Sequence, residues 1–299
     1  MRVAVSAASG LIGSALAADL AADGAEVIRL VRRPPQGAAE VGWDPLARGG
    51  GLDRSALRGV EAVVHLSGAP IAPRRWTRAR KAVLRSSRIA STAALATAMA
   101  AADPPPAVLL CASAIGYYGQ TGDRAVDESA AQGTGFLAGM VRDWEAAAEP
   151  ARAAGIRVVS FRSGIVLAAR GGMLGPLLPP FRLGLGARIG SGEQYLSWIS
   201  LTDEVRAIRF LLGDEGAAGA FNLTAPEPVT NAEFTSALAR ALGRPAAFAL
   251  PAWLLRAALG EVASELLGSA RVLPGRLQAA GFSFSHQDIT TALSALVAS

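Results

Sequence analysis

Through its first half, the chain alternates short apolar runs with longer stretches of helical spacing. The run from Arg2 to Val5 leads into the small-residue turn SAASGLIG, a helix to Asp23, and a second run, VIRLVRR, that ends in two arginines. EVIRLV, GVEAVVHL, AVLLCASA and IRVVSFR follow as apolar runs, separated by a helix through Ala100 and another from Phe136 to Ala154. Strands buried on both faces read as continuous apolar runs, as these do. Their alternation with helices predicts an α/β fold, a Rossmann-type doubly wound parallel sheet. Pro104 to Pro106 close the long helix, because proline lacks the N–H a helix needs and pushes its predecessor to extended backbone. Right-handed crossovers then gather the loops HLSGAP, SAIGYYG and RSGIVL at the carboxyl edge of the sheet, where ligands of such folds bind.

After Gly171 the texture changes. GGMLGPLLPPFRLGLGARIGSGEQYLSWIS is rich in glycine, proline and aromatics and suits loops and short strands over a pocket. A helix from Thr202 to Leu212, a strand GAFNLT, a helix from Asn231 to Leu242 and a helical tail follow. Asn231 is read as an N-cap. The expected division is a cofactor-binding part over 1–170 and a smaller substrate-binding region over 171–299, with one late segment returning to the sheet.

The first turn carries the most specific chemistry. A strand that delivers the chain to a turn of small residues lets a pyrophosphate approach the backbone N–H groups opening the next helix. Ala7, Ser9, Gly10, Leu11, Ile12 and Gly13 form that turn, with alanine where the pattern usually begins with glycine. Alanine is small, but positive φ strains it. About twenty residues beyond the turn, an acidic side chain would select NAD and an arginine the 2′-phosphate of NADP. Arg32 and Arg33 stand there, so the expected cofactor is NADP(H).

Composition narrows the classes. With 299 residues, 51% of them hydrophobic, a substantial core is expected. No apolar run is long enough for a membrane span, and the start enters a strand without signal-peptide regions, so a cytoplasmic protein with no membrane partner is expected. One cysteine, Cys111, and two histidines, His65 and His286, exclude a disulfide framework and a cysteine- or histidine-rich metal site. Net charge is +5, almost all of the positive charge arginine, with Lys81 the single lysine. The densest basic stretch, Arg74 to Arg88, has no aromatic interleaving or nucleic-acid motif, so no nucleic-acid partner is expected. It reads as a helix facing an anion near the cofactor or as a solvated face.

SGLIG, HLSGAPI with RRWT and SSRI, SAIGYYG, FLAGMVRDWEAAA, RSGIVL, PFRLGLGARIGSGEQYLSWI, NLTAPEPVTNAEF and LPGRLQAAGFSF together resemble the extended short-chain dehydrogenase/reductases. Within them they resemble an atypical, epimerase-family group, described as NAD-dependent epimerase/dehydratase-like. The resemblance spans nearly the whole chain. It implies a Rossmann fold, NADP(H), a pocket closed by the C-terminal part, and an oxidoreductase or epimerase acting on a small carbonyl or hydroxyl compound. It does not imply a particular substrate or oligomeric state.

Such reductases pair a serine or threonine with tyrosine and lysine spaced YxxxK on one helix face, the lysine tuning the phenol as acid or base. None of the three tyrosines, Tyr117, Tyr118 and Tyr195, is followed four residues later by lysine. In FLAGMVRDWEAAA the tyrosine position falls on Leu137 or Phe136. The resemblance keeps Ser113 as the substrate-orienting hydroxyl and leaves Tyr117 or Tyr118 as a replacement acid, with Tyr118, before Gly119, nearer a structural packing role; Asp127, Glu128 and Glu145 are further carboxyls, read foremost as solvated-loop or helix-anchoring groups. Ser67, Gly68, Arg88, Arg162, Ser163 and Gly164 are assigned to the cofactor, and His65 is read as a packed strand residue. Arg182 is expected to neutralise an anionic substrate, and Tyr195 and Trp198 to wall the pocket, with a place in the core the equal alternative for Trp198. Without the Tyr-Lys pair, a non-catalytic NADP(H)-binding sensor or scaffold is the alternative.

Overall fold

The computed structural model describes residues 1–47, 51–71 and 75–298, without the side chains of Arg54 and Leu266. Arg74, one end of the basic stretch, lies outside the described residues.

Seven strands form the central sheet: β1 (Arg2–Ser6), β2 (Glu26–Val31), β3 (Glu40–Gly42), β4 (Ala62–His65), β5 (Val108–Ala114), β6 (Arg157–Ser163) and β7 (Gly219–Leu223). Their order is β7-β6-β5-β4-β1-β2-β3, and every neighbouring pair is parallel. The chain starts in the middle, winds outward to β3, then resumes beside β1 with β4, so the switch point lies between β1 and β4. β7, from the second half, completes the edge against β6 as the returning segment.

Period-two geometry explains why both faces are apolar. Val3, Val5, Val64, Leu110, Val159 and Phe161 point to one layer, built by α1 (Leu11–Ala22) and α6 (Leu201–Gly213), while Ala4, Val63, Leu109, Cys111 and Val158 point to the other. That second layer is built by α2 (Arg78–Ala100), α3 (Phe136–Ala146) and α4 (Glu149–Ala153) through Leu95, Met99, Trp144 and Ala151. Fully buried side chains such as Phe161 and Leu110 each contribute about 1.5–3 kcal/mol. The same alternation fixes where polar residues at the strand ends go. Ser113 and Arg162 share the face of α3, and Ser163 faces α6.

The helix expected from Phe136 to Ala154 is two helices. α3 ends at Ala146, and Pro150 falls in the first turn of α4, where its missing N–H costs nothing. Beyond the sheet, α5 (Leu174–Arg182), α6 (Leu201–Gly213) and α7 (Asn231–Ala241) follow. α5, α7 and the C-terminal helix Ile289–Ala298 share a separate apolar core with Phe181, Trp198, Phe234 and Leu293. Asn231 is not the N-cap of α7. Thr230 is, in a reciprocal capping box with Glu233, because the TxxE spacing satisfies two backbone N–H groups at once. The Asn231 side chain instead accepts from the Ile189 N–H at 2.7 Å.

Candidate functional site

The turn after β1 has the geometry a phosphate needs. Ala7 adopts φ +51°, the one positive φ outside glycine among the described residues. Its carbonyl accepts from Gly10 N–H at 2.9 Å, folding the turn back so that a Cβ on Gly13 would stand 2.3 Å from that oxygen. Only glycine fits at 13. Gly10 caps α1 without a side chain and the first turn holds no acid, so the N–H groups opening α1 have no capping oxygen. Ser9 and Gly10 are exposed at the tip, Leu11 and Ile12 half-buried beneath it.

Ser6 ties this turn to the loop after β4. Its hydroxyl accepts from Leu66 N–H (2.9 Å) and Ser67 Oγ (3.1 Å) and lies 2.8 Å from His65 Nδ1, whose other nitrogen is 3.2 Å from Ser91 Oγ. Ser6 and Ser67 thus hold the two sides of the switch point together. Burial drives the His65 imidazole down to a pKa of about 3, so it is neutral and structural.

Gly68 lies against the guanidinium of Arg88, where an added Cβ would come within 3.0 Å of Cζ. Arg88 is 7% exposed and donates to the carbonyls of Ala69 and Leu84. Its Nε has no partner and it forms no salt bridge among the described residues. Burial, then the charge of Arg80, lowers it to about 10, leaving it cationic at neutral pH. A buried cation without a counter-ion is costly, and a planar donor fork suits phosphate. Turn, uncapped helix and Arg88 together fit the pyrophosphate of a dinucleotide. The two arginines at the end of β2 part company. Arg33 is engaged bidentately by Glu40 at 2.8 and 2.6 Å, while Arg32 is exposed without a side-chain partner among the described residues.

Two strands away, a second arginine is fully compensated. Arg162 donates Nε and Nη2 to the two oxygens of Glu145, at 2.7 and 2.8 Å, and Ser113 Oγ donates to Glu145 Oε1 at 2.6 Å. Nη1 reaches the Tyr118 oxygen at 2.9 Å, and the guanidinium lies 3.4 Å from the Tyr117 ring centroid. Burial alone would weaken the cation, but the bonds and charge of Glu145, joined by Tyr118, hold the Arg162 pKa above its usual value. Arg162 is therefore a buried framework residue, not the free cofactor contact expected. Tyr118 is not a replacement acid either: it is buried, its proton goes to Asn222 Oδ1 (2.8 Å), and burial raises its pKa. Tyr117 is half-buried in its stack on Arg162. On α3, Leu137 and Val141 share one face, both within 4.0 Å of a Cβ built on Gly116. An apolar pair fills the i, i+4 face on which tyrosine and lysine would stand.

Ser163 points the other way and donates to Glu204 Oε1 at 2.5 Å. Glu204 was not singled out from the sequence. It is fully buried in the first turn of α6, its second oxygen unpartnered, and burial lifts its pKa to about 8. Gly164 is required where it is, since a Cβ would meet the Ser197 carbonyl at 2.5 Å.

The expected substrate wall is not assembled. Trp198 is 1% exposed in the C-terminal core, its indole N–H bound to the Glu227 carbonyl, because the strand carrying it pairs with Ile165–Leu167 inside the fold. Tyr195 is half-buried under Arg271, and Arg182 is exposed at the end of α5. Asp127 closes a turn onto Ser129, and Glu128 accepts the N–H groups of Asn222 and Arg276, so both anchor loops. A cavity of about 250 Å³ opens instead at the start of α3. Trp76, Gly116, Phe136 and Leu137 line it together with Glu261, Ser264 and Glu265 from the C-terminal region. Among the described residues, no cluster of ligating side chains could hold a metal ion and no helix is long and apolar enough to cross a membrane.

Signals for the missed residues were present. The period-two alternation of β5 and β6 puts Ser113 and Arg162 on one face toward Glu145, and the acidic pair opening α6 places Glu204 below Ser163.

Residues 3–224 match the model of the NAD dependent epimerase/dehydratase family, and residues 250–296 match a domain of unknown function, DUF1731. The chain is 52% identical over 292 residues to the epimerase family protein Mb2239 of Mycobacterium bovis, covering 97% of this chain and 96% of that protein. It is 37% identical over 303 residues to the human epimerase family protein SDR39U1, with all of both chains covered. The crystal structure of human SDR39U1 (isoform 2) with NADPH superposes with a TM-score of 0.90 at 35% identity, over 100% of this chain and 99% of that one. On this match of sequence and structure, the chain belongs to the NAD-dependent epimerase/dehydratase family.

Proposed function

We propose that the protein binds NADP(H) and acts as an oxidoreductase or epimerase on a small hydroxyl or carbonyl compound. The observation that carries this reading is Arg88: a buried cation without a counter-ion, beside a turn whose backbone N–H groups open toward the same switch point. The NADPH named with the human relative's structure supports the same choice. A bound nicotinamide would supply hydride transfer at its C4. The chain's own part is orientation and proton handling. Ser113 spends its proton on Glu145, so it presents lone pairs and accepts a hydrogen bond from a substrate hydroxyl. Arg162 engages both oxygens of Glu145 and so fixes the carboxyl that Ser113 donates to, a positioning role.

The apolar pair Leu137 and Val141 favours the second reading, a non-catalytic NADP(H)-binding sensor or scaffold. Titration of NADPH and NADH tests the shared step, and failure to bind either removes both readings. NADPH is expected to bind more tightly, and Arg32→Ala to weaken NADPH more than NADH; equal weakening would reject the 2′-phosphate assignment. Reduction of NADP+ with a panel of small hydroxyl compounds, lost in Ser113→Ala with cofactor binding retained, would establish the enzyme.

A further inference from the structure

The cavity at the start of α3 carries more information than its position. Its lining includes two carboxylates, Glu261 and Glu265, and no arginine or lysine, while Arg182, the expected anion-binding residue, is not part of it. Trp76 and Phe136 meet edge to face at 5.2 Å between ring centroids and form an apolar wall. At the rim, the protein already seats an ammonium in this setting. Lys81 Nζ lies 4.8 Å from the Phe136 centroid and 2.6 Å from Glu261 Oε1. That contact gives Glu261 a cationic partner. Glu265 is exposed where it lines the cavity and has no hydrogen-bond or ion-pair partner among the described residues; partial desolvation followed by the charge of Glu261 holds its carboxyl above the usual glutamate range. A phosphorylated or carboxylate ligand would meet repulsion here, whereas a cation would gain both a counter-charge and aromatic faces.

We propose that this cavity selects a small ligand with an aromatic or branched apolar body and an ammonium group, the apolar body against Trp76 and Phe136 and the ammonium on Glu265. This rests on the reading of the protein as a small-molecule oxidoreductase or epimerase and names the class of its substrate. The ammonium is the recognition group; the hydroxyl or carbonyl of the same molecule is the reacting one. The volume, about 250 Å³, lies just under the range of drug-sized ligand pockets and suits a compact molecule.

Three probes of one shape separate charge from packing: benzylamine, benzyl alcohol and benzoate, each titrated into the NADPH-saturated protein by calorimetry or ligand-observed saturation-transfer NMR, with UDP-glucose as a fourth. Benzylamine is expected to bind roughly three- to tenfold more tightly than benzyl alcohol, with benzoate and UDP-glucose weaker than both. Glu265→Gln should remove the preference for benzylamine while benzyl alcohol binds as before, which shows the variant is folded. Trp76→Leu should weaken both. Benzoate or UDP-glucose binding as well as benzylamine would overturn the proposal, as would a preference unchanged in Glu265→Gln or no binding of any probe. NADPH binding is read separately in the same samples, so its loss is the failure of the cofactor reading, and its retention with no probe bound is the failure of this one.

Discussion

Two buried arginines stand on the same sheet edge in opposite states. Arg88, near the β1–β4 switch point, has a free Nε, two carbonyl partners and no carboxylate; Arg162, at the end of β6, is held by both oxygens of Glu145 and by Tyr118. The first has no compensating charge among the described residues. The second has its charge satisfied within the fold, and what it offers is a fixed Glu145 and, through it, a fixed Ser113. Burial alone does not separate a binding residue from a framework one; the inventory of partners does.

The largest expected effect comes from breaking the satisfied pair. Glu145→Gln leaves Arg162 buried with its counter-charge removed and should cost about 3 kcal/mol of unfolding free energy in chemical denaturation. A loss below 1 kcal/mol would show that the pair is loosely held. On the opposite face of the same strand end, Glu204 has a folded pKa of about 8, against an ordinary value of 4.5. The folded state binds the extra proton, so this contribution is full below pH 4.5 and is lost as pH rises toward 8. The slope approaches about 1.4 kcal/mol per pH unit in that window. Glu204→Gln should flatten the alkaline limb of the stability–pH curve and be the more stable protein at pH 8, as thermal melts across pH would show.

The unsatisfied partner predicts the reverse pattern. Arg88→Met should leave the stability of the ligand-free protein unchanged or raised, yet weaken NADPH about tenfold in a direct titration. A large loss of stability with normal NADPH affinity would move Arg88 into the framework class beside Arg162. The smallest effect is at Ala7, whose left-handed backbone is strained in alanine and natural in glycine. Ala7→Gly should add about 0.5–1 kcal/mol to thermal stability, with the turn and its cofactor affinity preserved.

The parallel α/β sheet and the need for small residues at Gly10 and Gly13 were legible in the chain, while the strand order and the identity of the late strand that joins the sheet, Gly219–Leu223, came from the tertiary structure. Chain-local readings failed where the partner was remote. The indole of Trp198 and the phenol of Tyr118 look like pocket chemistry in loops, but Glu227, Asn222 and Arg162 close over them. Ser113 and Glu145 are both candidates in the sequence, but the hydrogen bond that joins them is set only when α3 packs on β5. The cavity draws on Trp76, Phe136 and Glu265, brought together from three separate stretches of chain, and no local pattern announces it.

By itself, the sequence determined the winding of the α/β sheet, the small-residue turn opening at the first helix, and the loss of the Tyr-Lys pair from α3. Those are short-range matters, settled by side-chain bulk, backbone freedom and a two- or four-residue period. The tertiary structure decided which polar groups are spent and which are left over: Arg162 on Glu145 and Tyr118 on Asn222, with Arg88 Nε and Glu204 Oε2 left over. A charge or hydroxyl acquires its role from the partners that folding brings within about 3 Å, and those partners come from elements far away in the chain.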